Sequence, residues 1–242
     1  MKADERSDTS PSASFPHVEA IRPPVVVLVG PQLGENIGQA ARAMANFGLT
    51  ELRLVAPRDG WPNEKAAASA ASAFELVDNA VVYPTLSAAI ADLHFIGATT
   101  ARVREMVKPV LSPESAAQSF AARAQEGQRC GILFGRERSG LENDELSLAD
   151  VLVMAPVDPA FASLNLAQAV LLIGYEWRKY TAGTLLGRGT QYEAQAVEGL
   201  SLNKAIPATK NELMGFFTHK EEELSQTGFA LTGLRRFRHR VK

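Results

Sequence analysis

The chain has 242 residues, 46% of them hydrophobic and 21% charged, the balance of an ordinary globular protein with one good-sized domain and an appendage. Its net charge of −2 and pI near 6.1 carry no global basic signature, a mild argument against RNA binding, so any nucleic-acid contact has to come from local Arg and Lys clusters or from a site assembled between subunits. No run approaches the roughly 18 apolar residues that span a bilayer.

Residues 1–21 are rich in Ser, Asp, Glu and Pro, contain no signal-peptide core, and read as a disordered tail. The single cysteine, Cys130, excludes an internal disulfide, and together these features predict a cytoplasmic protein. Pro23-Pro24 opens Val25 to Gly30, a β-branched run without alternation that predicts a strand buried on both faces of a parallel sheet. Gly30-Pro31-Gln32-Leu33-Gly34-Glu35-Asn36-Ile37-Gly38 then leads into a helix, where outward backbone N–H groups favour an anion. It has neither the G-x-G-x-x-G order of a dinucleotide fold nor the Gly-Lys-Ser/Thr of a P-loop, so an RNA phosphate fits better.

The helix predicted over Gly34 to Phe47 puts Ile37, Ala40, Ala41, Met44 and Phe47 on one side, and Glu35, Gln39, Arg42 and Asn46 on the other, with Gly48 as its stop. Arg42 thus points away from its own sheet, toward solvent, ligand or a second subunit. Strands follow at Glu51 to Val55, Val81 to Tyr83, His94 to Ala98, Cys130 to Phe134 and Val151 to Met154, with helices at Lys65 to Ala73, Pro113 to Ala124 and Leu164 to Tyr180. Alternating β and α elements predict an α/β domain over residues 22–180. The last of these helices is apolar on nearly all sides and predicts either a dimer interface or a central core helix.

Cys130 lies inside an apolar strand and reads as a small buried residue. His17, His94, His219 and His239 lack metal-ligand spacing, so no metal site is expected. Phe134-Gly135-Arg136-Glu137-Arg138-Ser139-Gly140-Leu141 follows a buried strand, and its glycines permit close backbone approach to a ligand. Glu137 between two arginines is either a locally paired surface carboxylate or part of a site. Ala155-Pro156 leads through a Pro-rich loop to Ala162-Ser163-Leu164-Asn165, where capping of the next helix by itself accounts for Ser163 or Asn165. A Gly-, Thr- and Gln-rich linker over 181–207 precedes a helical, basic extension over 208–242, with a helix expected from Lys210 to Leu224 and a terminal run, Leu234 to Lys242, suited either to phosphate contact or to solvation.

Three segments, Gly34-Glu35-Asn36-Ile37-Gly38 running into Ala41-Arg42-Ala43-Met44, Phe134 to Leu141, and Ser163-Leu164-Asn165-Leu166-Ala167, resemble in order and spacing the signature motifs of the SPOUT, or trefoil-knotted, RNA methyltransferases. Val25 to about Lys179 is similar to the catalytic domain of TrmJ-type tRNA ribose 2′-O-methyltransferases. The resemblance implies an α/β fold with a C-terminal trefoil knot, an exception to the unknotted topology of most chains. It also implies a homodimer with its sites at the subunit interface, and S-adenosyl-L-methionine as methyl donor.

By position, the resemblance assigns the donor to Thr99-Thr100-Ala101, Gly135, Ala155-Pro156 and Ala162-Ser163-Leu164, whose small residues suit close packing more than ionic pairing. It assigns catalysis to Arg42, with Asn36, Glu137, Ser163 and Asn165 completing the site by hydrogen bonding. An arginine has a pKa above about 12, so orienting a phosphate and stabilising the developing alkoxide suit Arg42 better than acting as a literal base. Arg102, Arg104 and Lys108 are candidates for tRNA phosphate contacts, with solvated loop charges as the alternative. The resemblance points to the ribose of cytidine or uridine at position 32 of the anticodon loop. Related enzymes of ribosomal RNA or of another tRNA position, and a catalytically silent RNA-binding dimer, are the rival readings.

Overall fold

The Val-rich run after Pro23-Pro24 forms strand β1 (Val25–Val29), with all five residues buried, as a β-branched segment between two layers should be. The structure, a computed structural model, describes residues 21–101, 107–182 and 210–226. Strands β2 (Leu52–Val55), β3 (Val81–Tyr83), β4 (Phe95–Thr99), β5 (Val110–Leu111), β6 (Cys130–Phe134) and β7 (Val151–Val153) join β1 in a sheet of order β3-β2-β1-β6-β4-β7-β5. Every pairing is parallel. Parallel pairing requires a crossover between strands, and the crossovers include α1 (Gly34–Phe47), α2 (Glu64–Ala70), α3 (Phe74–Asp78), α4 (Leu86–Ile90), α5 (Pro113–Gln125) and α6 (Asn143–Ser147). Helix α7 (Leu166–Ala182) follows β7.

The alternation of β1 sorts the core into two layers. Val26 and Leu28 face Met44 of α1, Phe120 of α5 and Trp177 of α7, while Val25, Val27 and Val29 face Leu86 and Ala89 of α4 and Leu146 of α6. Burial of Ile37, Ala40, Ala41 and Met44 matches the apolar side expected for α1, and Gly48 ends the helix in the left-handed region at φ 73°. Helix α5 starts with Ser112, whose hydroxyl accepts from the Ser115 N–H at 3.1 Å, and with Pro113 in its first turn. Burial pushes the Cys130 thiol up to about 11, the environment of an inert core residue.

Four short elements have no counterpart in the sequence expectations: β5 is two residues long, and α3, α4 and α6 are five each. Such pieces are too brief to display a periodicity. Strand β3 is an edge strand, which leaves Val81 and Val82 exposed although their composition resembles that of the buried strands. The Lys65 to Ala73 helix is split into α2 and a 3₁₀ turn at Ala71–Ala73.

Two compact units divide between Gly183 and Thr184. The second contains α8 (Lys210–Gln226), which extends two residues beyond the expected Leu224. The expected N-terminal tail up to residue 20, nearly all of the linker and the basic terminal run lie outside the described residues.

At the N-terminal ends of the strands sits an ion-pair cluster that no sequence pattern announced. Arg53 of β2 is 3% exposed, donates to Glu51 and Asp92 at 2.5 Å each, and reaches the Ala89 carbonyl at 2.6 Å. Arg129 donates to the same two carboxylates. Hydrogen bonding from Arg53 holds Asp92 down at about 2, below the 3.8 of an ordinary aspartate. For Glu51, desolvation raises the pKa, but the bonds and charges of Arg53 and Arg129 outweigh it.

Because the folded-state pKa of Asp92 is depressed, its contribution to stability is full above about pH 4 and is lost as pH falls toward 2. Asp92→Asn should cost about 1 kcal/mol at pH 7, because the half-exposed Asp92 carboxylate is screened by solvent, and urea unfolding should find wild type and variant converging as the pH is lowered through that window. A pH-independent difference would contradict this account.

Candidate active site

In a parallel sheet all strands deliver their following loops to one edge, the usual place for a ligand site. Here β1, β4, β6 and β7 end side by side, so Gly30 to Leu33, Thr99 to Ala101, Gly135 to Leu141 and Ala155 to Leu164 meet although they are distant in sequence. A cavity of about 240 Å³ lies among the last three of these loops and is closed below by residues of α7 such as Leu166 and Ile173.

Glu137 ties the second motif to the first. The Gln32 N–H donates to its Oε2 at 2.9 Å, and the Leu33 N–H and the Asn36 Nδ2 donate to its Oε1 at 3.2 and 2.9 Å. The carboxylate therefore sits at the N-terminus of α1, where the helix dipole favours negative charge. Asn36 is only 6% exposed, and its Oδ1 accepts from Asn165 Nδ2 at 3.1 Å. Asn165 in turn caps α7, its Oδ1 accepting from the Ala167 N–H at 2.9 Å. The chain Glu137, Asn36, Asn165 thus connects all three motif segments.

Gly135 is required by a close approach. A Cβ there would stand 2.2 Å from the carbonyl carbon of Gly140 and 2.3 Å from the Leu141 nitrogen, because residues 136 and 140 bridge and fold the loop back on itself. Gly38 does the same for helix packing, since a Cβ would meet the Ala66 carbonyl oxygen of α2 at 2.1 Å. Arg136 braces the loop from the other side through paired 3.0 Å bonds to Glu145, which hold its guanidinium more firmly protonated than a free arginine. Thr99 donates from Oγ1 to the Leu133 carbonyl at 2.9 Å, and the Thr100 N–H donates to the Val153 carbonyl at 3.1 Å, which pins the β4 loop between β6 and β7.

Of the residues expected to hold a donor, Thr99, Thr100, Ala101, Gly135, Ala155, Ala162, Ser163 and Leu164 all line the cavity. Pro156 does not; it is exposed, and Val157 occupies the wall instead. Ser163 is exposed and Asn165 lies beside it at the start of α7. Phe134 and Leu141 belong to the second motif, whereas the other apolar wall residues, Val153, Leu166, Leu172 and Ile173, were not assigned to a donor by sequence, since a buried Leu or Ile carries no sign of facing a ligand. These walls, with nearby backbone groups and hydroxyls, suit a flat, weakly polar heterocycle and a thioether-like chain better than a polyanion.

Arg42 is exposed on the outer face of α1, lies outside the cavity wall of its own chain, and has no ion-pair or hydrogen-bond partner among the described residues. Lys108 is committed elsewhere: its ammonium donates to the carbonyls of Ser147, at 3.0 Å, and Ala149, at the C-terminal end of α6. Its cation is therefore already used within the fold. Arg102 and Arg104 lie outside the described residues. Among the described residues no cluster of His, Cys, Asp or Glu is arranged to hold a metal, and no helix is long and apolar enough to cross a membrane.

Comparison with known proteins agrees with this geometry. Residues 23–175 match the SpoU rRNA methylase family. The chain is 36% identical over 204 residues to the tRNA (cytidine/uridine/adenosine-2′-O-)-methyltransferase TrmJ of Pseudomonas aeruginosa (strain UCBPP-PA14), covering 84% of this chain and 78% of that one. It is 38% identical to the tRNA (cytidine/uridine-2′-O-)-methyltransferase TrmJ of Yersinia enterocolitica, covering 84% and 76%. Among solved structures, TrmJ from Z. mobilis ZM4 superposes with a TM-score of 0.64 at 44% identity, covering 89% of this chain and 86% of that one. With its motif segments joined at one edge of a parallel sheet, and with relatives this similar over most of its length, the chain belongs to the SpoU methylase family of RNA methyltransferases.

Proposed function

We propose that the protein transfers a methyl group from S-adenosyl-L-methionine to the ribose 2′-hydroxyl of tRNA, at a cytidine or uridine in position 32 of the anticodon loop. The observation that carries this reading is the Glu137–Asn36–Asn165 hydrogen-bond chain, which locks the α1 motif to the loops of a cavity suited to the donor. The names of the TrmJ relatives support tRNA and ribose methylation. The interleaved order β6-β4-β7 supports the C-terminal knot that belongs to this reading, and a cytoplasmic location suits a tRNA substrate.

The donor supplies an electrophilic methyl on sulfur when bound. The chain's own part is positioning: Gly135 allows the loop backbone to approach, Thr99 to Ala101 and Ala162 to Leu164 form the walls, and Ser163 presents an exposed hydroxyl at the rim. Both oxygens of Glu137 are occupied by N–H donors, so its role is to hold the site in shape. Arg42 orients an RNA phosphate and stabilises the negative charge that develops on the 2′-oxygen as its proton leaves.

Two observations favour a homodimer with shared sites. Arg42 lies outside its own chain's cavity, and α7 leaves Leu171 and Tyr175, one turn apart on the same face, 45% and 48% exposed, with Tyr175 meeting Phe47 of α1 edge to face. Such an apolar helix face suits burial against a second copy.

Incubation of the purified protein with S-adenosylmethionine and unmodified tRNA transcripts, followed by nucleoside mass spectrometry, should detect a 2′-O-methylpyrimidine at position 32. A mark elsewhere would keep the chemistry and overturn the target; absence of transfer to any tRNA would move the reading to ribosomal RNA or to a silent dimer. Arg42→Ala should fold and bind the donor normally yet lose at least about 100-fold in turnover, and undiminished turnover would remove Arg42 from the mechanism. Gly135→Ala should abolish donor binding through its backbone clash. Mixing these two inactive variants should restore part of the activity through mixed dimers, whereas no recovery would argue that each chain works with its own Arg42.

A further inference from the structure

The loop between β6 and α6 carries three charged side chains in succession, and the structure uses them differently. Arg136 is paired with Glu145 at 3.0 Å and lies 3.6 Å from Glu142. Glu137 accepts from the N–H groups of Gln32, Leu33 and Asn36. Arg138 also lines the cavity, is exposed, and has no ion-pair or hydrogen-bond partner among the described residues. Every other described residue of the cavity wall is apolar or carries a hydroxyl. Among the described residues of the wall, Arg138 is therefore the one positive charge left uncompensated, next to a carboxylate whose two oxygens are already engaged.

A lone guanidinium is unfavourable beside a ligand whose reacting group is itself a cation, as the donor's sulfonium is, unless an anion comes between them. S-adenosylmethionine has one anionic group, the carboxylate of its amino-acid tail, and the planar fork of an arginine matches a carboxylate in bidentate fashion. We infer that Arg138 recognises the donor's tail carboxylate at the cavity rim, and so selects and orients a carboxylate-bearing donor. This rests on the methyl-donor reading above and adds to it the residue that reads the tail.

The test is calorimetric titration of wild type, Arg138→Gln and Arg138→Lys with S-adenosylmethionine and with its decarboxylated form, the unfolding midpoint of each variant confirming that it is folded. Wild type should lose about tenfold or more in affinity when the carboxylate is removed, the scale of one charge-assisted hydrogen bond. Arg138→Gln should bind both forms alike, near wild type's affinity for the decarboxylated donor, and Arg138→Lys should recover part of the discrimination. Full discrimination retained by Arg138→Gln overturns the inference and leaves the methyltransferase reading intact. Unchanged donor affinity with weaker tRNA binding and a flatter salt dependence overturns it in favour of an RNA phosphate as the partner of Arg138. Wild type that binds neither form overturns the donor reading and the inference together.

Discussion

A carboxylate that must satisfy its lone pairs, and a buried amide that must satisfy both its ends, hold the site together. Asn36 is nearly inaccessible to water, so its Nδ2 and Oδ1 need protein partners. It donates to Glu137 and accepts from Asn165, residues 101 and 129 positions away. Those partners fix which way the amide points, and in doing so join the start of α1, the loop after β6 and the start of α7. Movement of any one of the three would leave a buried polar group unpaired, which generally costs about 1–3 kcal/mol. The network thus fixes the three segments rigidly against one another.

The sheet separates structural charge from functional charge. Where the strands begin, Arg53 and Arg129 are paired to Glu51 and Asp92, in a cluster that neutralises itself. Where the strands end, the pairing is uneven: Arg136 and Glu137 are satisfied, while Arg138 is exposed without a partner among the described residues. A chain with a net charge of −2 can therefore still hold an unpaired cation at one end of its sheet. The mild composition argument against RNA binding loses its force once charges are counted at the site and not over the chain.

Much of this was legible in the sequence. The unbroken β-branched run of Val25 to Val29 predicts burial on both sheet faces, and the 3.6-residue periodicity of Ile37, Ala40, Ala41 and Met44 predicts the inner face of α1. Gly135 and the small residues of the other loops were assigned to a donor site by the family resemblance, and all but Pro156 line the cavity. Lys108 looked like a free cation because sequence does not reveal that two carbonyls at the end of α6 are within its reach. The exposure of Val81 and Val82 was equally hidden, since edge and central strands share a composition and differ only in what lies beside them.

The division follows from the range of the forces involved. Periodicity, turn residues and helix caps act between neighbours in the chain, so element type, the α/β class and the outward face of Arg42 were determined by the sequence itself. Tertiary structure alone decided that Glu137 is spent on the α1 N-terminus, that Asn36 is buried between it and Asn165, and that Arg53 belongs to a closed ion-pair cluster. Those roles depend on hydrogen-bond partners up to 129 residues distant, and a hydrogen bond has meaning only once folding has brought donor and acceptor within about 3 Å and removed the water that would otherwise serve both.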